Sequence, residues 1–441
     1  MTGRVKRFSI SPGKPREDMT KFTNEVAAIH ERLQQVFEPT PLQFNQHLSD
    51  RYGARIWLKR EDLSPVRSYK IRGAYAFIIE ITEKDPAQKL FVCASAGNHA
   101  QGFAHACRQF RKKGVIFMPV TTPQQKIMKT TSFGAPHVEI RLVGDSFDEA
   151  NKAALDFCKA EGGVMVPPFD DPKIIRGQAT VAKEILDQLP EGEMIDRVIL
   201  PVGGGGLASG VTHYMEDRLA SEGAPMPQFS FVEPDRAPSL YESLKAGKLV
   251  TLKDMDTFVD GAAVAKIGRN CFNRLRKYDA SQVVLAPTNG LCGTMIEMLN
   301  VEGIVLEPAG ALTIDALKRL PHKEVSGKTI VCVTSGGNFD FERLPEVKER
   351  AMKFEGLKKY FILRFPQRPG ALKDFLLMLG PEDDIARFEY LKKSARNFGS
   401  VLIGIETARA ENFETLKSKF TASGLRYQDI TDNEIVGNLV L

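Results

Sequence analysis

Apolar residues recur along most of this chain with one of two periods, and segments of the two kinds alternate. Recurrence at every third or fourth position is typical of an amphipathic helix, and it occurs at 21–37, 71–78, 147–160 and 181–189. Short apolar runs, typical of buried strands, occur at 55–59, 90–94, 114–120, 137–143, 197–202, 229–232, 283–285 and 329–333. Repeated strand–helix units of this kind predict an α/β domain with a largely parallel sheet.

The pattern changes near residue 345, where a charged helical segment forms a neck to a second domain. Strands and helices then follow in the order βαββαβ, at 360–365, 371–379, 385–391, 400–406, 413–420 and 427–430. This is the order of the ferredoxin-like split unit. We therefore predict a flexible tail at 1–20, a main α/β domain at 21–345, and a neck with a ferredoxin-like domain at 346–441.

Composition narrows the class of protein. The chain has 441 residues, 43% apolar and 26% charged, as in a globular protein of two or three domains. Its net charge of +5 is dispersed, so no nucleic-acid partner is expected. No apolar run is long enough for a membrane span, and six cysteines without CxxC spacing are expected to be reduced thiols of a cytoplasmic protein. The basic segment 1–16 lacks the apolar stretch of a secretory signal, which leaves an organelle import segment as the alternative to a flexible tail.

The candidate chemistry centres on Lys70, in the segment 68–74. The apolar period places this lysine in the first turn of a helix, where the helix dipole disfavours a positive charge. A solvated lysine is the simpler interpretation. Three further stretches favour a functional role for Lys70. They lie at 95–99, 203–207 and 335–338, each follows an apolar run, and together they are typical of the residues that line one cofactor site.

Four consecutive glycines, Gly203, Gly204, Gly205 and Gly206, lie between a predicted strand and a predicted helix. Backbone N–H groups in such a turn converge on an anion, and the helix N-terminus adds its partial charge. A phosphate group is the natural ligand, although a flexible turn is the alternative. A phosphate cradle together with a lysine indicates pyridoxal phosphate, whose aldehyde combines with amines. Asn98 then has the right chemistry to contact the ring hydroxyl and Ser335 to contact the ring nitrogen, unless each is a helix cap.

These stretches resemble the motifs of the fold-type II pyridoxal-phosphate enzymes, and within that group they are most similar to threonine deaminase. The motifs are Ser-Tyr-Lys-Ile-Arg-Gly-Ala at 68–74, Ser-Ala-Gly-Asn-His-Ala-Gln-Gly at 95–102, Gly-Gly-Gly-Gly-Leu at 203–207 and Ser-Gly-Gly-Asn at 335–338. The resemblance covers residues 22 to about 341. The C-terminal unit resembles the single ACT-like regulatory domain of short biosynthetic threonine deaminases. The resemblance implies two open α/β subdomains with largely parallel sheets, the smaller at roughly 65–165, followed by a ferredoxin-like ACT-like domain.

The resemblance also implies roles for individual residues. Lys70 would form the Schiff base with the cofactor and accept the Cα proton, and Asn98 and Ser335 would contact the ring oxygen and ring nitrogen. The phosphate would lie against Gly203, Gly204, Gly205, Gly206 and Leu207. The substrate carboxylate would bind the loop formed by Ser95, Ala96, Gly97 and Asn98.

The implied reaction is the elimination of water from L-threonine, which yields 2-oxobutanoate and ammonia as the committed step of isoleucine biosynthesis. L-Serine would similarly give pyruvate, and the cofactor phosphate would serve as the acid for the leaving hydroxyl. The residues agree with elimination, because neutral Ser335 does not favour a protonated ring nitrogen as a carboxylate would. A weaker electron sink suits prompt loss of a β-substituent.

Two departures from related enzymes refine this expectation. Serine racemase carries a second serine as its other base where this chain has Ala96, so racemisation is not expected. Related enzymes bind a divalent cation after a Val-Glu-Pro segment; here Glu233 is kept, but Ser239 replaces the second carboxylate, so no tight metal site is expected. His99 is expected to be a first-turn histidine bonded to backbone, with a catalytic role as the alternative.

The ACT-like unit predicts regulation by a small effector. We expect isoleucine to inhibit, with valine as a candidate activator, at the loop that contains Gln367, Arg368 and Gly370. The family resemblance implies a homotetramer. Other candidate functions are a serine racemase or dehydratase, a β-replacement enzyme of the same fold, and an amino-acid sensor without catalysis; the effector unit argues against β-replacement and the intact motif set argues against a sensor.

Overall fold

The computed structural model describes residues 20–391 and 398–433. The predicted tail at 1–20 lies outside these residues except for Thr20, and the ferredoxin-like unit is described apart from 392–397 and 434–441. In the described part of the chain no helix is both long enough and apolar enough to cross a bilayer.

Within the described residues the chain forms three β-sheets and their covering helices. The strands are β1 (Leu42–Phe44), β2 (Arg55–Arg60), β3 (Leu90–Ala94), β4 (Lys113–Met118), β5 (Val138–Leu142), β6 (Val164–Met165), β7 (Arg197–Pro201), β8 (Gln228–Pro234), β9 (Val283–Ala286), β10 (Thr329–Thr334), β11 (Lys358–Pro366), β12 (Asp383–Leu391), β13 (Phe398–Thr407) and β14 (Arg426–Asp429). The α-helices are α1 (Lys21–Leu33), α2 (Gln46–Tyr52), α3 (Lys70–Lys84), α4 (Asn98–Gln109), α5 (Gln124–Gly134), α6 (Phe147–Ala160), α7 (Pro172–Gln188), α8 (Gly206–Glu222), α9 (Ser239–Ala246), α10 (Arg269–Leu275), α11 (Thr288–Glu302), α12 (Pro308–Asp315), α13 (His322–Val325), α14 (Leu344–Phe354), α15 (Ala371–Leu376) and α16 (Asn412–Ala422).

Two parallel sheets build the larger part of the molecule. One has the strand order β1-β2-β10-β7-β8-β9, in which only β1 pairs antiparallel. The other has the order β5-β4-β3-β6 and is parallel throughout. The central strands β7 and β10 of the first sheet are buried along their length, as expected for a sheet covered by helices on both faces. The carboxyl ends of such strands are where open α/β sheets place their ligand sites.

The third sheet belongs to the C-terminal unit and is antiparallel, with the order β12-β13-β11-β14. Its core is rich in phenylalanine from the strands and from α15 and α16, including Phe361, Phe365, Phe375 and Phe420. Together with the parallel sheets, this arrangement confirms the predicted fold class.

Helix α7 begins at Pro172, nine residues before the predicted helical segment at 181–189. Asp171 accepts from the N–H of Lys173 as the N-cap, and proline at the first helical position suits a helix start. The extra turns pack against α3, and they approach so closely that a Cβ at Gly177 would lie 2.5 Å from the carbonyl oxygen of Arg72. Helix α7 therefore supports the helix that carries Lys70.

The neck helix α14 lies on the main domain. Its buried residues Val347 and Ala351 join the core cluster that contains Leu291 and Met295 of α11. At the other end of the neck, Lys358 of β11 pairs with Glu349 at 2.6 Å. The neck thus contacts both the main domain and the C-terminal sheet.

Candidate active site

Lys70 is the first residue of α3, as the sequence pattern predicts. The preceding loop is held by Ser64, whose Oγ accepts from the N–H of Ser68 and donates to its carbonyl, both at 2.9 Å. Arg67 takes up a left-handed conformation, with φ of 56°, which turns the chain into the helix. The backbone of Lys70 is therefore fixed by local hydrogen bonds.

A buried ionic network surrounds Arg72, two residues after Lys70 on α3. Arg72 donates four hydrogen bonds of 2.7 to 2.9 Å, two to Glu61 of the loop after β2 and two to Glu184 of α7, and Lys59 donates to Glu184 at 2.6 Å. All four side chains are buried. Burial alone would raise the pKa of Glu184, but Arg72, His30 and Lys59 outweigh it and hold that pKa far below its usual value. The network ties the start of α3 to two other elements.

The amino group of Lys70 is enclosed by aromatic and backbone groups. Its Nζ donates to the carbonyl of Pro168 at 3.0 Å and lies 5.4 and 5.9 Å from the ring centroids of Tyr69 and Phe169. Burial lowers the pKa of Lys70 to about 8, although Cys271 and Glu307 favour the charged form. A substantial fraction of the amine is consequently neutral near physiological pH, as a nucleophile or base requires.

The four glycines follow β7 and lead into the 17-residue helix α8. Gly205 has φ of +88°, which only glycine adopts readily, and a Cβ at Gly204 would meet the Phe169 ring at 2.2 Å. Among the described residues, no protein acceptor lies against the backbone N–H groups of Gly203, Gly204 and Gly205 or that of Gly206, the first residue of α8. Three of the four glycines are buried. Unsatisfied N–H groups at the start of a long helix are the donor set of a phosphate cradle.

Asn98 is the first residue of α4 and lies in a line of polar contacts. Its Nδ2 donates to Oε1 of Glu307 at 2.6 Å, and its Oδ1 accepts from Nδ2 of Asn338 at 2.7 Å. Asn338 in turn accepts from the amino group of Lys129 of α5. Burial and the nearby Asp260 raise the pKa of Glu307 to about 7, while the Asn98 hydrogen bond and two lysines lower it.

Ser335 follows β10 directly and is buried. Its Oγ donates to the carbonyl of Ala309 at 3.1 Å, and its own carbonyl accepts from the N–H of Tyr69 at 3.1 Å. The hydrogen bond between Tyr69 and Ser335, together with the backbone bridge between Ser68 and Gly336, places the end of β10 against the segment that carries Lys70.

The loop at 95–98 connects β3 to α4. The hydroxyl oxygen of Ser95 accepts from the N–H of Gly97 at 3.2 Å, and a Cβ at Gly97 would meet no atom within 4 Å. There is accordingly open space beside the backbone at the start of the 12-residue helix α4. His99 contacts the carbonyl of Val166 through Nε2 at 2.9 Å, as predicted, and burial and the Lys70 cation lower its pKa to about 4.

Sequence reasoning missed three side chains of this region: Lys129, Phe169 and Glu307. Each lies outside a recognisable motif, and each contacts a motif residue far away in the chain. Glu307 stands directly before Pro308 at a helix start, which is a weak sequence signal for a buried acid.

The Val-Glu-Pro segment gives no sign of a metal centre. Glu233 is buried and accepts from the N–H groups of Leu240 and Tyr241 at 2.7 and 2.9 Å, with Ser239 Oγ at 3.4 Å. Within 20–391 and 398–433 no group of three or more histidine, cysteine, aspartate or glutamate residues is arranged to hold an ion.

The C-terminal unit contains a cavity of about 380 Å³. Arg368 lines it, whereas Gln367 and Gly370 lie beside it in the chain without lining it. Its wall combines apolar and basic side chains, among them Phe365, Phe375, Met378, Phe398, Arg364 and Arg426. The side chain of Arg368 pairs with Asp374 at 2.5 Å.

The site's donors fit a phosphorylated aldehyde cofactor. The unpaired N–H groups of the glycine loop suit its phosphate, and the amine of Lys70 suits its aldehyde. Phe169 lies near both the glycine loop and the lysine, since its ring is against Gly204 and beside the Lys70 amino group. The neutral side chains of Asn98 and Ser335 supply hydrogen-bonding groups in the same region.

Comparison with known proteins agrees with this chemistry. Residues 33–336 match the family described as pyridoxal-phosphate dependent enzyme, and residues 349–440 match the C-terminal regulatory domain of threonine dehydratase. The chain is 44% identical to the biosynthetic L-threonine dehydratase IlvA of Halalkalibacterium halodurans, over 95% of this chain and 98% of that one. It is 43% identical to its counterpart in Bacillus subtilis, over 94% and 96%. Among solved structures, the processed form of threonine deaminase isoform 2 from Solanum lycopersicum superposes with a TM-score of 0.68 at 34% identity, over 77% of this chain and 90% of that one.

Proposed function

This chain belongs to the biosynthetic L-threonine dehydratases, a family of pyridoxal-phosphate-dependent enzymes, and from that membership we propose that Lys70 is its catalytic residue. The protein is a pyridoxal-phosphate-dependent lyase that deaminates L-threonine to 2-oxobutanoate and ammonia in isoleucine biosynthesis. The observation that supports the role of Lys70 is its enclosure beside a glycine loop with unpaired N–H groups.

Several residues would hold the cofactor. Lys70 would bind its aldehyde carbon, Gly203, Gly204, Gly205, Gly206 and Leu207 its phosphate, Asn98 its ring oxygen and Ser335 its ring nitrogen. When bound, pyridoxal phosphate supplies an aldehyde that combines reversibly with amines and a conjugated ring that spreads the charge left at Cα after proton removal.

The chain's own groups then orient the substrate and move its proton. The hydroxyl of Ser95 and the backbone N–H groups of 96–98, at the start of α4, would bind the substrate carboxylate. The neutral amine of Lys70 accepts the Cα proton, and burial helps because it lowers the pKa of Lys70 to about 8. The rings of Tyr69 and Phe169 limit the access of water to that amine. Ala96 offers no second base, so we propose that L-serine is deaminated to pyruvate and not racemised.

The test of this function is direct. Purified full-length protein is resolved from its cofactor, reloaded with pyridoxal phosphate and supplied with L-threonine. One ammonia should appear for each 2-oxobutanoate, and activity should return only in the reloaded sample. Absence of 2-oxobutanoate from a protein that has taken up the cofactor would refute the assignment.

We also propose that isoleucine binds the C-terminal cavity and inhibits, with valine acting in the opposite sense. The cavity has about 380 Å³, apolar walls for a branched side chain, and arginines for a carboxylate. Among the residues expected at an effector site, Arg368 is the one that lines it. A truncation after Gly356 keeps the packing of Val347 and Ala351 against the main domain and removes the cavity. The full chain should lose activity in isoleucine, whereas the truncated chain should not respond.

The two family matches support separate functions for the two parts of the chain. We propose that residues 21–345 are catalytic and that 346–441 form the neck and regulatory domain, since the matches cover 33–336 and 349–440. We further propose a homotetramer, which the molar mass from light scattering would test. A cytoplasmic location is proposed because all six cysteines are buried free thiols.

A further inference from the structure

We propose that Lys129 and Glu307 are positioning residues that fix the orientation of the Asn98 amide, because they end a line of hydrogen bonds that joins segments beside the two parallel sheets. The inference rests on the proposed contact between Asn98 and the ring oxygen of the cofactor.

The line runs through four side chains in one direction. The amino group of Lys129 donates to Oδ1 of Asn338, and Nδ2 of Asn338 donates to Oδ1 of Asn98 at 2.7 Å. Nδ2 of Asn98 then donates to Oε1 of Glu307 at 2.6 Å. Within the line, each amide oxygen thus accepts one hydrogen bond and each amide NH₂ group donates one to the next residue.

The two ends determine this direction. A lysine ammonium has only donors, and Glu307 has only acceptors when it is ionised, above its pKa of about 7. An amide has one group of each kind and can be turned either way. If the Asn98 amide were reversed, its NH₂ group would face the NH₂ of Asn338 and its oxygen would face Glu307. Both contacts would be repulsive, so Lys129 and Glu307 together select one of the two amide orientations.

Backbone contacts reinforce the direction that the two ends favour. Nδ2 of Asn338 also donates to the carbonyl of Val66 at 2.8 Å, which places its oxygen towards Lys129. The backbone N–H of Glu307 donates to the carbonyl of Gly336 at 3.2 Å. The two residues are so close that a Cβ at Gly336 would lie 2.3 Å from Oε1 of Glu307. Glu307 is buried and Lys129 is half-buried, so water has limited access to the hydrogen bonds at the two ends of the line.

The orientation matters for a cofactor that presents an oxygen. Glu307 takes one of the two hydrogens on Nδ2 of Asn98 and leaves the other for an acceptor. A donor aimed at the ring oxygen stabilises its deprotonated form and lowers its pKa. Loss of either end of the line should therefore weaken cofactor binding and raise the pH at which the bound cofactor changes its visible absorbance.

The experiment uses the full chain loaded with pyridoxal phosphate, without substrate. Lys129→Met removes the donor at one end, and Lys129→Arg replaces it with another side chain that only donates. Glu307→Gln removes the carboxylate at the other end. The matched control is Lys126→Met, which removes a positive charge near Glu307 from the same helix but breaks no hydrogen bond of the line, because Lys126 pairs with Asp260 at 2.6 Å. Circular dichroism and the melting temperature identify any variant that fails to fold.

Lys129→Met and Glu307→Gln should each raise the dissociation constant of pyridoxal phosphate at least about fivefold and move the midpoint of the absorbance change upward by about half a pH unit or more. Lys129→Arg and Lys126→Met should resemble the wild type in both measurements. A folded Lys129→Met protein that matches Lys126→Met in both would overturn the proposal, as would a folded Glu307→Gln protein with an unshifted midpoint. A wild type that takes up no pyridoxal phosphate would instead contradict the proposed function.

Discussion

The amino group of Lys70 donates to the carbonyl oxygen of Pro168 at 3.0 Å, in surroundings that lower the pKa of the lysine to about 8. Only the neutral amine attacks an aldehyde. The rate of covalent cofactor incorporation into cofactor-free protein should therefore rise about fivefold from pH 7 to 8 and level off by about pH 9. Stopped-flow absorbance measures this rate. A rate that still climbs about sevenfold from pH 9 to 10 would show an unperturbed lysine.

The buried network behind Lys70 should contribute strongly to stability. Glu184→Gln leaves Arg72 and Lys59 with one carboxylate fewer, and removal of one partner from a buried ion pair costs about 3–5 kcal/mol. We expect the free energy of unfolding, measured by urea denaturation of the loaded enzyme, to fall by about 3 kcal/mol or more. The control is Glu83→Gln, which breaks an exposed pair with Arg32 and should cost less than about 1 kcal/mol.

The same network predicts the direction of acid denaturation. The pKa of Glu184 lies far below its unfolded value, so its stabilisation is present above that unfolded value and is lost as the pH falls below it. The wild type should accordingly lose more stability on acidification than Glu184→Gln does. Equal slopes of unfolding free energy against pH would contradict the ionised state assigned to Glu184.

The alanine at position 96 predicts which products form from L-serine. Without a second hydroxyl beside Ser95, the enzyme should convert L-serine to pyruvate and form no D-serine. Chiral chromatography of the reaction mixture measures both products. D-Serine that forms at a rate comparable to pyruvate would show that another residue supplies the second base.

Phe258 offers a physical route between the neck and the glycine loop. The guanidinium groups of Arg343 and Arg350 lie 4.5 and 4.4 Å from its ring centroid, and four residues later the Cα of Ala262 would be 2.9 Å from a Cβ at Gly203. We predict that Phe258→Leu raises the isoleucine concentration for half-inhibition about tenfold, which is a coupling loss of about 1.4 kcal/mol, with little change in kcat.

Phe354→Leu is the matched control for that test. Phe354 is an aromatic residue at the far end of the same neck helix, with Arg319 at 5.8 Å from its ring. It should change the inhibition less than twofold. Equal effects of the two substitutions would mean that the neck acts as a whole and not through Phe258.

The sequence was sufficient wherever the chemistry depends on a short segment. The start of α3 at Lys70, the turn at Gly205 and the first residue of α4, Asn98, each follow from local period and residue type. Helix α6 has the predicted bounds, Phe147–Ala160, because a capping box between Ser146 and Glu149 reinforces its apolar period. The fold class followed from the same alternation of strands and helices.

The rest depends on contacts between distant segments. Two hydrogen-bonded pairs each join residues that are 209 positions apart, Lys129 with Asn338 and Asn98 with Glu307. No local sequence pattern predicts either pair. Helix α7 starts before the predicted segment at 181–189, although Asp171 and Pro172 are good signals of a helix start, because polar residues and a glycine interrupt the apolar period between 172 and 180. At the C-terminal cavity, the loop that holds Gln367, Arg368 and Gly370 could be located from sequence, but which side chain lines the cavity is decided by the packing of β11, α15 and β14.

The central claim, that Lys70 performs threonine deamination, is tested most directly by turnover of L-threonine in Lys70→Ala beside Lys84→Ala. Lys84 ends the same helix and is exposed, so the two variants make the same change at opposite ends of α3. Lys70→Ala should keep its fold and form 2-oxobutanoate at less than about a hundredth of the wild-type rate, because a covalent and proton-accepting group is lost. Lys84→Ala should retain wild-type turnover. A folded Lys70→Ala enzyme that turns over threonine faster than that limit would contradict the account.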